Sequence, residues 1–448
     1  MFRRLSISSF RFFLAGKGLS FQTGKYFFQA LLVGALAGLV VVAFRCLIEL
    51  GCEWIFLPVL NSGMHGLFAV LPAAGALLGY LLIRRFDSLE HARGTDSAIL
   101  AFHRRCGYVP PAVLPVKSIA SVLTVASGGS AGYEGPVTLL GAACGSLVAS
   151  WFNLPARARR ILMTAGISAG IAALFQAPLA GAIFGFEVLY SSSDIEYDCI
   201  LPCFTAATVA YTVFAYFFGW GTLFQMPTDV VYANGLRLFP YFVLAIVITF
   251  GARFYIRFFA ATERRFAALP VPGWARVTLG GLATGFIGLL VPEILGTSYP
   301  VIQQTLSGEN LAVTSLLAIF FLKAIATSFT VGSGGSGGVF APALVCGGAL
   351  GAAVGVAFAR VLPDSFGIHP TAFALVGMAG FLASSIRTPM AAIVMVAEIS
   401  GNHGLLVPAM WVCGISFWLN SGWSLYRSQP HSRESSPVHQ ILRSVSAA

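Results

Sequence analysis

Charge is what this chain has least of: Asp, Glu, Lys and Arg together make up 10% of its 448 residues, against about 25% in a soluble domain. The shortage excludes an ordinary water-soluble fold, and no long polar stretch is left from which a separate soluble domain could form. Hydrophobic residues reach 57%, and mean hydropathy is +0.82. Uncharged stretches built around Phe28–Phe44, Tyr241–Phe250 and Val277–Val291 extend to the roughly 18 residues that a spanning helix needs. The expected fold class is an all-α polytopic membrane protein set in the lipid bilayer.

Other absences narrow the function. The eight cysteines form no CxxC pair, and although Cys199 and Cys203 lie one helical turn apart, no histidine joins them at metal-ligand spacing. HExxH, a phosphate-binding Walker loop and a Ser/His/Asp signature are all missing, so no enzyme is expected, and no metal. Positive charge is not scarce: the formal net charge is +10. It gathers in loops and tails, at Arg3, Arg4, Arg11, Lys17 and Lys25, at Arg84 and Arg85, at Arg157, Arg159 and Arg160, at Arg264 and Arg265, and at Arg427, Arg433 and Arg443. Such clusters mark cytoplasmic loops rather than a nucleic-acid surface, and they place both termini in the cytoplasm. The basic N-terminal segment is long and the first apolar run has the length of a span, unlike a cleavable signal.

What is abundant is glycine, with 49 residues. Val113–Ser127, Val137–Trp151, Ile161–Phe175 and Leu179–Tyr190 are apolar runs separated by tight Gly and Pro breaks. Broken backbone at membrane depth is tolerated only where protein buries it or where it lines a cavity. One break repeats. Ser127–Gly–Gly–Ser–Ala–Gly–Tyr–Glu–Gly–Pro136 returns as Ser333–Gly–Gly–Ser–Gly–Gly–Val–Phe–Ala–Pro342, and the match reaches back to Lys117 opposite Lys323. At nearly the same offset Gly166, Pro178 and Glu187 fall in register with Gly377, Pro389 and Glu398. The chain therefore divides into a basic segment 1–26, a first repeat 27–225, a linker 226–237, a second repeat 238–426 and a short tail 427–448.

Glycine-broken helices at corresponding places in two halves point to a transport site. In each decapeptide glycine lets backbone N–H groups approach a ligand, and proline suits the first turn of a following helix. A helix start carries unpaired N–H groups and the positive end of the dipole, so its natural guest is an anion. The first copy alone holds an acid, Glu134. A carboxylate at membrane depth costs about 2.5–3.5 kcal/mol on insertion scales, which marks it for function. Two residues before Pro136, it can occupy the anion position of its own helix start. Protonation would release it, linking proton movement to anion passage.

These residues resemble the CLC family of chloride channels and chloride/proton antiporters. The family's GREGP motif stands as Gly132–Tyr–Glu–Gly–Pro136 and its GIFAP motif as Gly338–Val–Phe–Ala–Pro342. Val113–Leu–Pro–Val–Lys117 and Ala177–Pro–Leu–Ala–Gly181 are also similar to family sequence, and the resemblance runs over nearly the whole chain. It implies two inverted-topology repeats of broken, tilted helices, a homodimer with one anion path per subunit, and no cofactor beyond bound chloride ions. Glu134 matches the external gate, the amides of Val339 and Phe340 match anion ligands beside Gly132, Gly135 and Gly338, and Tyr426 matches a tyrosine whose hydroxyl contacts the central anion. Read alone, Tyr426 is an interfacial aromatic. The compact tails suit a bacterial inner-membrane protein.

The chain departs from the family in three places. The GSGIP filter motif falls on Ala92–Arg–Gly–Thr–Asp96, where Gly94 fits and Arg93 stands in place of an anion-binding serine. Tyr133 replaces the arginine beside the gate. Proton-coupled relatives carry an internal glutamate where this chain has Val188, with Glu187 one residue earlier. Adjacent helix residues point about 100° apart, so Glu187 is either an inner proton residue on a different route or a structural acid at a helix end. Chloride conduction of channel type is the first expectation, and chloride/proton exchange the alternative. A solute symporter with Glu134 as a coupling-ion ligand would need a larger polar pocket.

Overall fold

The computed structural model describes residues 26–61, 65–86, 94–224, 238–309, 312–363 and 367–440. The expected linker 226–237, most of segment 1–26, the end of the tail and Arg93 lie outside the described residues. Within them the chain forms seventeen α-helices and no named strand. The first half holds α1 (Phe27–Gly51), α2 (Leu57–Asn61), α3 (Leu71–Arg84), α4 (Thr95–Arg104), α5 (Val113–Ala126), α6 (Glu134–Trp151), α7 (Ala156–Phe175), α8 (Pro178–Glu187) and α9 (Ile200–Phe218). The second holds α10 (Leu238–Ala268), α11 (Gly273–Leu290), α12 (Tyr299–Leu306), α13 (Val313–Gly332), α14 (Phe340–Val361), α15 (Pro370–Ser385), α16 (Pro389–Ser400) and α17 (Leu406–Leu419). Seven helical segments among the described residues are long and apolar enough to cross a membrane. The chain is a multi-pass integral membrane protein.

The helices differ in what surrounds them. Along α7 and α14 nearly nine-tenths of the residues are enclosed by protein, whereas α9 and α10 leave more than half of theirs outward. An apolar helix buried all round belongs to the centre of a bundle, and one with a free apolar face belongs against lipid. Two glycine crossings set the centre. Gly141 of α6 meets Gly166 of α7 so closely that a Cβ on either would lie about 2 Å from the other's carbonyl oxygen. Gly347 of α14 and Gly377 of α15 repeat the contact, with a Cβ 2.5–2.6 Å from the facing oxygen. Without a hydrophobic drive between helices in lipid, such close backbone approach supplies the packing.

A second pairing ties α8 to α16. The Glu187 carboxylate at the end of α8 accepts hydrogen bonds from Met390 N (2.9 Å) and Ala391 N (2.8 Å) at the start of α16. The Glu398 carboxylate in α16 accepts from Leu179 N (3.1 Å) and Ala180 N (2.7 Å) at the start of α8. Each helix caps the other, satisfying N–H groups that an apolar bilayer would leave orphaned.

Candidate functional site

The two decapeptides meet face to face. Each begins where a helix ends in a turn: Gly128 (φ +93°) follows α5 and Gly334 (φ +113°) follows α13, both in a conformation that favours glycine. Their far ends run antiparallel, with Gly132 N donating to Gly338 O (2.8 Å) and Gly338 N to Gly132 O (2.9 Å). Room for this pairing exists only without side chains. A Cβ on Gly135 would lie 2.7 Å from Gly338 Cα, and one on Gly338 would lie 2.6 Å from Gly135 N. Two loop serines are engaged across the halves. Ser130 Oγ bonds Thr327 Oγ1 and Ser336 Oγ bonds Ser121 Oγ, each at 3.0 Å, so they cross-link the halves. The pair of bonds sets the first turns of α6 and α14 against each other in the protein interior.

Glu134 is the first residue of α6 and is fully buried. Its Oε2 accepts from Ala341 N at 3.1 Å, its own backbone N–H also reaches it, and Oε1 accepts from the Tyr299 hydroxyl. The sequence suggested a seat on its own helix start, with the start of the second motif's helix aimed at the same point. In the structure the carboxylate spans both helix starts, because the glycine pairing brings α14 within reach. The amide at this point is that of Ala341, and the ring of Phe340 beside it packs against Phe175 (5.2 Å) and Phe184 (5.7 Å).

Tyr299 was not foreseen from sequence. It opens α12 after the short segment Gly296–Thr–Ser298, and a lone tyrosine before a proline carries no periodic signal. The buried Lys323 of α13 fixes that segment by donating from Nζ to Ile294 O (3.0 Å) and Gly296 O (2.7 Å). The first decapeptide grips it as well, through Ala131 N to Gly296 O (3.2 Å) and Gly296 N to Gly128 O (3.3 Å). The only sequence signal was chemical: a buried carboxylate demands donors.

Tyr133 and Tyr299, which neighbour and touch Glu134, also border a cavity of about 730 Å³ with Phe224, Arg45 and Glu293 among others. A separate small pocket of about 60 Å³ is lined by Thr95, Asp96, Gly135, Gly338, Val339 and Tyr426. Of the residues expected from sequence, Gly94, Gly135, Gly338, Val339 and Tyr426 therefore come together. Gly94 (φ +71°) starts α4 at a point where a Cβ would lie 2.8 Å from Gly135 C. Tyr426 is buried, and its loop is held by Ser428, whose N–H (2.9 Å) and hydroxyl (3.0 Å) both donate to the Asp96 carboxylate. Asp96 and Thr95 were not singled out from sequence, because a helix-start acid more often serves only its own cap.

Glu187 and Val188 stand apart from this group. Both Glu187 carboxylate oxygens are engaged at the start of α16. Val188 is fully buried, and its carbonyl accepts from Gln429 Nε2 at 2.8 Å. Beyond them the tail folds back: Glu196 accepts from the Tyr190 hydroxyl and lies 2.7 Å from His439 Nε2 and 3.3 Å from Arg433 Nη2. Among the described residues no group of His, Cys, Asp and Glu is arranged to hold a metal.

The architecture and motif order find matches among known proteins. A family model described as "Voltage gated chloride channel" matches residues 74–421. A putative chloride channel protein ClcB-like of Ralstonia nicotianae is 30% identical over 395 residues, covering 85% of this chain and 90% of that protein. An H(+)/Cl(-) exchange transporter ClcA of Yersinia pestis is 30% identical over 399 residues, covering 86% and 82%. Among solved structures, a CLC-type fluoride/proton antiporter superposes with a TM-score of 0.80 at 23% identity, over 93% of this chain and all of that one. A slow cyanobacterial Cl-/H+ antiporter superposes with a TM-score of 0.77 at 20% identity, over 96% and 99%. With a family model over most of its length, helices in the same arrangement and two helix starts opposed around one acid, the chain belongs to the voltage gated chloride channel (CLC) family and is an anion-transport protein, not an enzyme.

Proposed function

We propose that the chain moves chloride and similar small anions across the membrane along a path closed by the Glu134 carboxylate. The observation that carries this reading is the seat itself. Glu134 Oε2 occupies the amide of Ala341 at the start of α14, a place where a helix terminus offers N–H groups to any anion. A carboxylate held there excludes a chloride. A protonated one loses its charge-assisted hydrogen bonds and gives way. Chloride then passes between the large cavity, taken as the external mouth, and the small pocket, where the Tyr426 hydroxyl and the amides of Val339 and Phe340 would hold it. Both termini lie in the cytoplasm of a bacterial inner membrane, and two copies form a homodimer with one path each.

The conduction is channel-like. Val188 cannot carry a proton, and Glu187 is committed to capping α16. A second reading, proton-coupled exchange by another inner route, is favoured by relatives that are named exchangers. Liposomes holding a steep chloride gradient, with external pH followed during efflux, separate the two. Channel-type flux leaves the proton gradient undriven, and sustained uphill proton movement would overturn it. Loss of pH dependence in Glu134→Gln is expected on both readings, and a normal pH profile in that variant would remove Glu134 from the gate.

A further inference from the structure

We infer that Tyr299 is the latch of this gate, a positioning residue whose phenol O–H holds the Glu134 carboxylate in its seat. The inference rests on Glu134 being the gate and adds to it the group that sets how tightly the gate is held. Tyr299 donates to Oε1 while Ala341 N donates to Oε2, so the carboxylate is gripped at both oxygens from the second half of the chain. Glu134 itself does not border the large cavity, whereas Tyr299 and Tyr133 do. Tyr299 thus touches the carboxylate through its hydroxyl and also borders that cavity.

The phenol is preorganised. Its ring meets Tyr133 edge-on at 6.1 Å and Phe224 edge-on at 5.9 Å, contacts that favour one orientation. Its backbone is set by Ser298 at φ +63° on one side and Pro300 on the other. Lys323 and the first decapeptide anchor the preceding segment. Thus the loop that carries the latch is tied to the loop that carries the gate. The Tyr133 hydroxyl is turned to Thr297, which leaves Tyr299 as the phenol on the acid.

The charged and titratable groups around the pair are Tyr133, Lys323 and Tyr426 near Glu134, Arg45 near both tyrosines, and Cys52 near Tyr133. Arg45 is itself paired with Glu49 at 2.6 Å. None of them gives a hydrogen bond to Oε1. A phenol bonded to a carboxylate favours its ionised form, so removing the hydroxyl makes the acid easier to protonate.

The test is chloride efflux from liposomes as a function of external pH, for the wild type, Tyr299→Phe, Glu134→Gln and the double variant. Tyr299→Phe should move the midpoint of pH activation up by about one unit, a tenfold change in proton affinity, with flux at neutral pH raised severalfold. The double variant should match Glu134→Gln. A merely structural role would lower flux and thermal stability alike at every pH, leaving the midpoint in place. That result, or a Tyr299→Phe profile overlaying the wild type, overturns the latch. If instead Glu134→Gln keeps a normal profile, the gate reading has failed first, which is a distinct outcome. Should Tyr299→Phe not yield folded protein, 3-fluorotyrosine at position 299 serves. A stronger donor must move the midpoint down, and no movement refutes the proposal.

Discussion

The two decapeptides are alike in backbone and unlike in chemistry. Both leave a helix through a positive-φ glycine, both end in a new helix, and each supplies one glycine to the antiparallel pair Gly132–Gly338. Yet one starts its helix with Glu134 and the other with Phe340. Phenylalanine turns its ring into the core and leaves the Ala341 amide at the meeting point. Glutamate turns its side chain into that same point. On the proposed reading, one repeat unit serves as a fixed anion seat and the other supplies a charged occupant for it. Two equivalent seats would bind an anion without a means of release, and two equivalent acids would repel each other. The asymmetry is what the proposed gate needs in order to open.

The comparison can be broken most severely at the glycines. Gly338→Val should abolish folded protein, since even a Cβ would lie 2.6 Å from Gly135 N and backbone there has no space to move. Size-exclusion chromatography after detergent extraction would show aggregate, and a monodisperse peak would mean the two loops are not locked. Next comes the charge that distinguishes the copies. Glu134→Ala should empty the seat and raise chloride efflux about tenfold or more at alkaline pH, as judged by ion-selective electrode, whereas unchanged efflux would deny that the carboxylate obstructs the path.

A sharper use of the pseudo-symmetry lies at the reciprocal caps. Glu187→Gln and Glu398→Gln should each cost about 1–2 kcal/mol, in line with the loss of a helix cap, and should lower the melting temperature similarly without changing proton movement. A change in proton flux confined to Glu187→Gln would promote that residue from cap to proton carrier. The smallest effect is expected for Phe340→Leu, roughly 1 kcal/mol from repacking against Phe175 and Phe184. The pH profile of flux should survive, because the seat uses backbone amides. Its loss would mean that the ring, not the main chain, shapes the site.

Much of this was legible beforehand because it is written in short-range terms. Glycines at fixed spacing, a proline at each helix start and a single acid among apolar residues already imply broken helices and an anion path. The register of Gly166 with Gly377 anticipated two crossings of the same kind. The partners of those features were not legible. Ser130 and Ser336 sit in the repeated motif, yet their hydroxyls bond Thr327 and Ser121 in the opposite half. Glu187 and Glu398 were found in register, but nothing local says that each caps the other's helix. Asp96 holds Ser428 across more than three hundred residues of chain, and so places Tyr426.

By itself, then, the sequence determined the solvent, the helical class, the repeated helix starts and the one acid among them. Those follow from the cost of burying charge and unpaired backbone in hydrocarbon, which acts residue by residue. Only the tertiary structure decided where that acid rests: across both helix starts, on an amide of the second half and under the phenol of Tyr299. Closeness between segments so distant in the chain depends on backbones packed to glycine contact, and that distance belongs to the fold.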